Sequence, residues 1–340
     1  MQSILAVTVP FFALVLCGYL ATRRGLLPEA AIPGLNAYVL FFALPCLLFK
    51  FGSSMPFSRL IDPTLMVIYA VCAMVMVFVT ISATLKNDDD RFGIDLKNSA
   101  FGALVAAFPN TGFMGVPLLV ALLGDAAAGP VISTVLIDLI LTSTFCIALA
   151  QSQVHTQSQS QQEFSPSESK PSSMRSSATR PLRGALNNPL PWSIASGALV
   201  AATQVQLPAP LHQVIQMLAD SASPVALFTI GAVLSRAAQA SQATGMKTPV
   251  AKYLPVALLK LFVHPLLVLS AGVIAKALGA PVSAFGLTVL VLAAALPSAS
   301  NVSLLAERYG ADNGRIARII MASTVMAFVS FSLLAWVLVR

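Results

Sequence analysis

Apolar residues fill this chain in long blocks, each close to the roughly 20 residues that carry a helix across a bilayer and each closed by a short polar stretch. Ten such blocks predict ten membrane helices, at residues 4–22, 31–51, 61–84, 98–121, 128–150, 190–206, 213–234, 253–275, 283–305 and 316–339. The first, Ile4 to Thr22, carries no charge and is followed by Arg23-Arg24. No basic segment precedes it and no cleavage site ends it, so it reads as a retained first span and not as a removable leader. The sixth block is short and flanked by proline.

Two blocks are broken in the middle. The fourth reads AFGALVAAF, then Pro109-Asn110-Thr111-Gly112, then FMGVPLLVALL; the ninth reads AFGLTVLVLAAAL, then Pro297-Ser298-Ala299-Ser300-Asn301, then VSLLA. A helix broken inside a membrane exposes backbone N–H and C=O groups that protein, water or a ligand must satisfy. Matched breaks in two halves of a chain are the sequence pointer to the binding site of a secondary transporter.

The halves also match elsewhere. Pro10 corresponds to Pro191, Pro45 to Pro224, Pro109 to Pro297 and Ser133 to Ser323, at separations of 181, 179, 188 and 190 residues. Residues 1–150 are thus expected to form one five-helix repeat and residues 189–340 a second. An odd number of spans per repeat requires the two to be inverted in the membrane. Residues 151–188 between them are rich in Ser, Gln and Pro. Such a stretch cannot bury a core, and it is expected to be a disordered linker. The fold class expected is therefore all-α and polytopic, with helices 4 and 9 broken and crossing.

Composition agrees with this pattern. The chain is 57% hydrophobic and 10% charged, against about 25% charged in soluble domains. Of its 20 Lys and Arg, 15 fall in one set of alternate loops, 4 on the other side, and Lys260 inside a span. The positive-inside rule then puts the linker in the cytoplasm and both termini outside. The formal charge of +7 reads as membrane topology and not as affinity for nucleic acid. The acidic run Asp88-Asp89-Asp90 reads as a solvated loop. Cys17, Cys46, Cys72 and Cys146 all lie in apolar runs, where packing explains them.

At each break the second half-helix starts near mid-membrane, bringing free N–H donors and roughly +0.5 of partial charge. Two such ends make a place for a carboxylate. The ends of the first half-helices offer carbonyls suited to a cation or a donor group. The expected substrate site is Pro109, Asn110, Thr111, Gly112, Pro297, Ser298, Ser300 and Asn301. Asp138, Asp220, Lys260 and His264 lie within spans, where ionisable residues suggest function. They are candidates for coupling to H+ or Na+. Structural readings stand beside that one: a structural ion pair or a hydrogen-bonded carboxylate for the two aspartates, snorkelling of Lys260 towards the cytoplasm, and satisfaction of a kink by His264 before Pro265. No catalytic motif is present. With three histidines, one in the linker, neither a metal site nor a cofactor is expected. An enzyme is the least expected class.

PNTGFMGVPLL, Pro109 to Leu119, resembles the fourth-helix signature of the auxin efflux carrier family. LPSASNVSLLAERYG resembles that family's ninth helix in Leu296, Pro297, Ala306 and Tyr309, and HPLL at His264 and LPCLLF at Leu44 are further matches. The resemblance implies ten helices in two inverted repeats and a substrate site where helices 4 and 9 cross. It also implies a scaffold and a transport domain. Bacterial members include proposed permeases for malonate and other small carboxylates. One departure is that the plant exporters carry Gln-Gly after the ninth-helix proline, where this chain has Ser298-Ala299. The expectation is an inner-membrane carrier of a small organic anion, a mono- or dicarboxylate, working by alternating access. Its expected partners are the substrate, the bilayer, H+ or Na+, and a second copy in a homodimer. A Na+-coupled symporter of the bile-acid type and a membrane sensor that does not transport are the alternatives.

Overall fold

The structure is a computed structural model that describes residues 2–54, 61–85, 94–162, 189–243 and 248–339, with side chains for all of these except 153–162 and 240–243. The acidic run at 88–90 lies outside the described residues. Among those described every regular element is helical. We label them α1 (Gln2–Arg23), α2 (Glu29–Ser54), α3 (Pro63–Thr84), α4a (Leu96–Ala107), α4b (Thr111–Leu123), α5 (Asp125–Ser152), α6 (Pro189–Thr203), α7 (Ala209–Ala243), α8 (Leu254–Ala277), α9a (Ala284–Ala294), α9b (Asn301–Arg308) and α10 (Asn313–Leu338). Seven of them, α1, α2, α3, α5, α7, α8 and α10, are long and apolar enough to cross a membrane, and α4b and α9a are shorter apolar helices. The last segment of α5 continues to Gln162, into the stretch read as linker; the rest of that stretch, 163–188, lies outside the described residues.

Local chemistry fixes the helix starts. The Asp62 carboxylate accepts from the N–H groups of Thr64 and Leu65 ahead of α3, with Pro63 at the first helical position. Asp95, Ser283 and Asp312 cap α4a, α9a and α10 in the same way. Each side-chain cap satisfies donors that the first turn leaves unpaired.

Packing divides the helices into two groups. In the first, α1 crosses α7 and α2 crosses α6. Both crossings depend on glycine. A Cβ on Gly18 would stand 1.9 Å from the Phe228 carbonyl oxygen, and one on Gly231 1.9 Å from that of Val15. A Cβ on Gly52 would stand 2.9 Å from the Ile194 oxygen, and one on Gly197 2.5 Å from that of Phe49. Gly197 follows Gly18 by 179 residues, and Gly231 follows Gly52 by 179. The second group packs α3 on α4a, α4a on α5, and α8 on α9a and α3. The broken helices lie at its interior: every residue from Ser99 to Ala107 of α4a is buried, as is every one from Val289 to Ala294 of α9a.

Of the fifteen cations read as loop residues, Arg23, Lys97, Arg236, Arg308, Arg315 and Arg318 lie within helices, mostly at their ends; Arg315 is the buried one among them. Arg315 lies in the first turn of α10 and is among the largest fully buried side chains. Its Nε donates to the Lys252 carbonyl (2.8 Å) and its Nη1 to the Asn98 carbonyl (3.0 Å). It fits because Gly102 leaves the room: a Cβ there would come within 2.9 Å of Nη1.

Candidate functional site

The two breaks meet. The Asn110 N–H donates to the Pro297 carbonyl (2.8 Å), and the Ala299 N–H donates to the Phe108 carbonyl (3.0 Å). Together they form an isolated antiparallel bridge between Pro109 and Ser298. Proline explains both interruptions, since it has no N–H to give and clashes with the preceding turn. The bridge explains why they are tolerable: backbone groups freed in one helix satisfy those freed in the other. Ser298 is anchored further by its own N–H, which donates to Ser323 Oγ (3.2 Å).

Other polar groups at the crossover have no partner. Asn110 is 2% exposed and its Oδ1 is buried without a hydrogen bond, as are Ser298 Oγ and Asn301 Oδ1. Leaving such a group unpaired costs about 1–3 kcal/mol. An amide offers either its oxygen or its NH2 after a half-turn, so these side chains can serve an acceptor or a donor.

A cavity of ≈ 30 Å³ opens beside them, room for a water molecule or two. Pro109, Asn110, Gly112 and Asn301 lie in its wall, together with Phe108, Phe113 and Ala299 from the broken helices, Leu40 and Leu44 from α2, Val135 and Leu139 from α5, and Leu190 from α6. Thr111, Pro297, Ser298 and Ser300 belong to the crossover but not to this wall. Wide π-helical turns occur at Val39–Ala43, Thr111–Gly115 and Asp138–Thr142, where three of these walls are built. Such turns are frequent at functional sites.

The four ionisable candidates separate. Asp138, Lys260 and His264 are fully buried. Tyr69 Oη donates to Asp138 Oδ2 (2.8 Å) and Thr142 Oγ1 to Oδ1 (3.2 Å). Lys260, on a fourth π-helical turn at Leu259–Val263, contacts His264 Nδ1 at 3.2 Å and donates to the Ala294 carbonyl at 2.6 Å. The Tyr69 and His264 rings stand 5.8 Å apart, joining the two parts of the cluster. Lys260 therefore does not snorkel. Its ammonium sits on a carbonyl at the end of α9a, where the sequence suggests room for a cation. Asp220 is elsewhere: it pairs with Lys50 at 3.1 Å, the two side chains 58% and 41% exposed.

Sequence reasoning missed Tyr69 and Ser323 as site residues. Tyr69 carries no local signal, because its partner lies 69 positions away. Ser323 was visible only through its correspondence with Ser133 in the other half.

A family model described as "Membrane transport protein" matches residues 3–335. The chain belongs to this family, that of the auxin efflux carriers. It is a family of membrane transporters and not of enzymes. Among its relatives is a protein of Rhizobium meliloti (strain 1021) named "Putative malonate transporter", 26% identical over 339 residues, covering 96% of this chain and 93% of the relative. Another is auxin efflux carrier component 2 of Oryza sativa subsp. japonica, 26% identical over 153 residues, covering 43% of this chain and 24% of the relative.

Proposed function

We propose that this family member is a secondary carrier that moves a small organic anion by alternating access, binding it at the crossover of α4 and α9. The observation that carries this reading is the pairing of the two breaks beside a cavity whose wall holds Asn110 and Asn301. The half-helices α4b and α9b both begin there, so their N-terminal donors and partial positive charge converge on one place. The relative named for malonate supports a carboxylate as the cargo.

We read the chain as ten spans in two inverted repeats, with the broken pairs counted as spans 4 and 9 and α6 as span 6. The equal 179-residue separations of the two glycine crossings support the repeat, because inversion exchanges the α1–α7 contact with the α6–α2 contact. The glycine-locked group α1, α2, α6 and α7 is the scaffold in this reading, and the group holding the crossover is the moving body. The basic bias favours both termini outside a cell inner membrane, with the linker in the cytoplasm.

Coupling to Na+ is the less favoured reading. The Ala294 carbonyl that a coupling cation would use already accepts from Lys260, and Asp220 is held in an exposed ion pair.

Counterflow in proteoliposomes tests the function. Vesicles loaded with unlabelled short carboxylates are expected to accumulate a labelled one equally well in Na+ and in choline. Saturable binding with no counterflow would instead identify a sensor.

A further inference from the structure

Asp138, Tyr69, Lys260 and His264 bury a carboxylate and a cation beside the crossover, and we infer that they couple the carrier to protons: Asp138 takes up one proton as the substrate anion binds and gives it back as the anion leaves. This rests on the carrier reading above.

The cluster meets the site at two points. Lys260 holds the Ala294 carbonyl, three positions before Pro297. Leu139, next to Asp138 on the wide turn Asp138–Thr142, lies in the cavity wall. Its helices α3, α5 and α8 belong to the group that holds the crossover, so one body carries both proton and anion.

The contacts fix the charges. Tyr69 Oη and Thr142 Oγ1 each donate to one oxygen of Asp138, which suits the ionised carboxylate. An ammonium has only donors, so His264 Nδ1 accepts from Lys260 and the imidazole is neutral. The empty site therefore balances Asp138 against Lys260, the cation that acts on it. The other titratable groups nearby are Tyr69 and Cys72 from α3 and Cys146 from α5. α9a carries none, and those of α4a and α10, Lys97, Arg315 and Arg318, lie in the first two turns of their helices. A substrate anion at the crossover would set two negative charges against one buried cation. Unbalanced buried charge is strongly disfavoured, and two carboxylates sharing one site keep a single charge between them. Protonation of Asp138 restores the balance: a proton from water bonds to a carboxylate oxygen, and the substrate becomes the counter-ion of Lys260. Anion and proton then favour each other's binding reciprocally, and they cross together. His264 Nε2, buried without a partner, is the place for the water that delivers the proton.

The test uses the full chain in proteoliposomes in Na+-free buffer, with the membrane potential clamped at zero by K+ and valinomycin. Labelled malonate and labelled pyruvate are the probes, and protein-free vesicles are the blank. With the inside more alkaline by about one pH unit, wild type is expected to concentrate whichever probe it exchanges about tenfold, the factor that one proton per anion supplies. Asp138→Asn keeps the shape but cannot change charge. It is expected to lose the accumulation, and its residual exchange is expected to be independent of pH. Exchange by wild type that ignores the pH gradient would overturn the inference and leave the carrier intact; this outcome needs no variant, so the test stands even where Asp138→Asn does not fold. Accumulation by a folded Asp138→Asn equal to that of wild type would also overturn it. Absence of exchange of both probes would overturn the carrier reading and the inference together.

Discussion

At the scale of single residues, the fold buries polar atoms at the crossover and leaves them unpaired. Asn110→Ala is expected to weaken binding of a carboxylate by one to two decades, because a hydrogen bond to a charged group contributes about 1.5–3 kcal/mol. Ser298→Ala is expected to lose less, since a neutral hydroxyl bonds more weakly and Ser298 lies outside the cavity wall. Isothermal titration of the two variants separates these effects. The glycines make a sharper pair. A Cβ on Gly112 meets nothing within 4 Å, whereas one on Gly115 would stand 2.7 Å from Leu296 Cδ1. Gly112→Leu is therefore expected to fold with a near-normal Tm and to abolish counterflow by filling the cavity. Gly115→Leu is expected to lower Tm as well. Equal Tm losses would refute the assignment of Gly112 to the cavity wall. That Asn110 and Gly112 lie at a helix break was legible in the sequence, because they follow a proline in an apolar block. The role of Lys260 was not, because it depends on the carbonyl of Ala294, 34 positions away. Spacing along one helix cannot report that contact.

At the scale of elements, the breaks, the caps and the glycine crossings decide how helices meet. The breaks could be read from Pro109 and Pro297. That they hydrogen-bond to one another could not, since pairing across 189 positions, Pro109 to Ser298, has no local signature. Gly18, Gly52, Gly197 and Gly231 look ordinary in an apolar run, yet each stands where a Cβ would strike a backbone carbonyl. Backbone cannot yield as a flexible side chain does. Gly18→Val and Gly197→Val are therefore expected to reduce the yield of folded, monodisperse protein to a similar degree, as size-exclusion chromatography would show. A severe loss in one with none in the other would argue against equivalent crossings. Arg315 shows how composition misleads at this scale. Counted as a loop cation, it is instead a buried clamp between the starts of α4a, α8 and α10. Arg315→Met fits the Gly102 notch but abandons two carbonyls, and a lower Tm is the expected result.

At the scale of the whole molecule, topology follows from charge placed along the chain. The proposed orientation puts the Ser/Gln-rich stretch in the cytoplasm and residue 340 outside. With the native cysteines replaced, a cysteine placed near the C-terminus is expected to react with an impermeant maleimide on intact cells. One placed at residue 170 is expected to react only after lysis. The all-helical membrane class was legible, because the bilayer imposes a length on every crossing, and seven of the described helices are long and apolar enough to make one. The boundary of α5 was not, because a Gln- and Ser-containing segment can extend a helix into water beyond its apolar run, as it does to Gln162.

The central claim is that the crossover is a binding site of a carrier and not a packed kink. Counterflow and thermal stability measured together on wild type and Asn110→Ala, in one proteoliposome preparation, test it most directly. The account predicts that Asn110→Ala keeps the wild-type Tm within a few degrees while its half-saturating substrate concentration rises at least tenfold. A variant that folds and exchanges like wild type would contradict it.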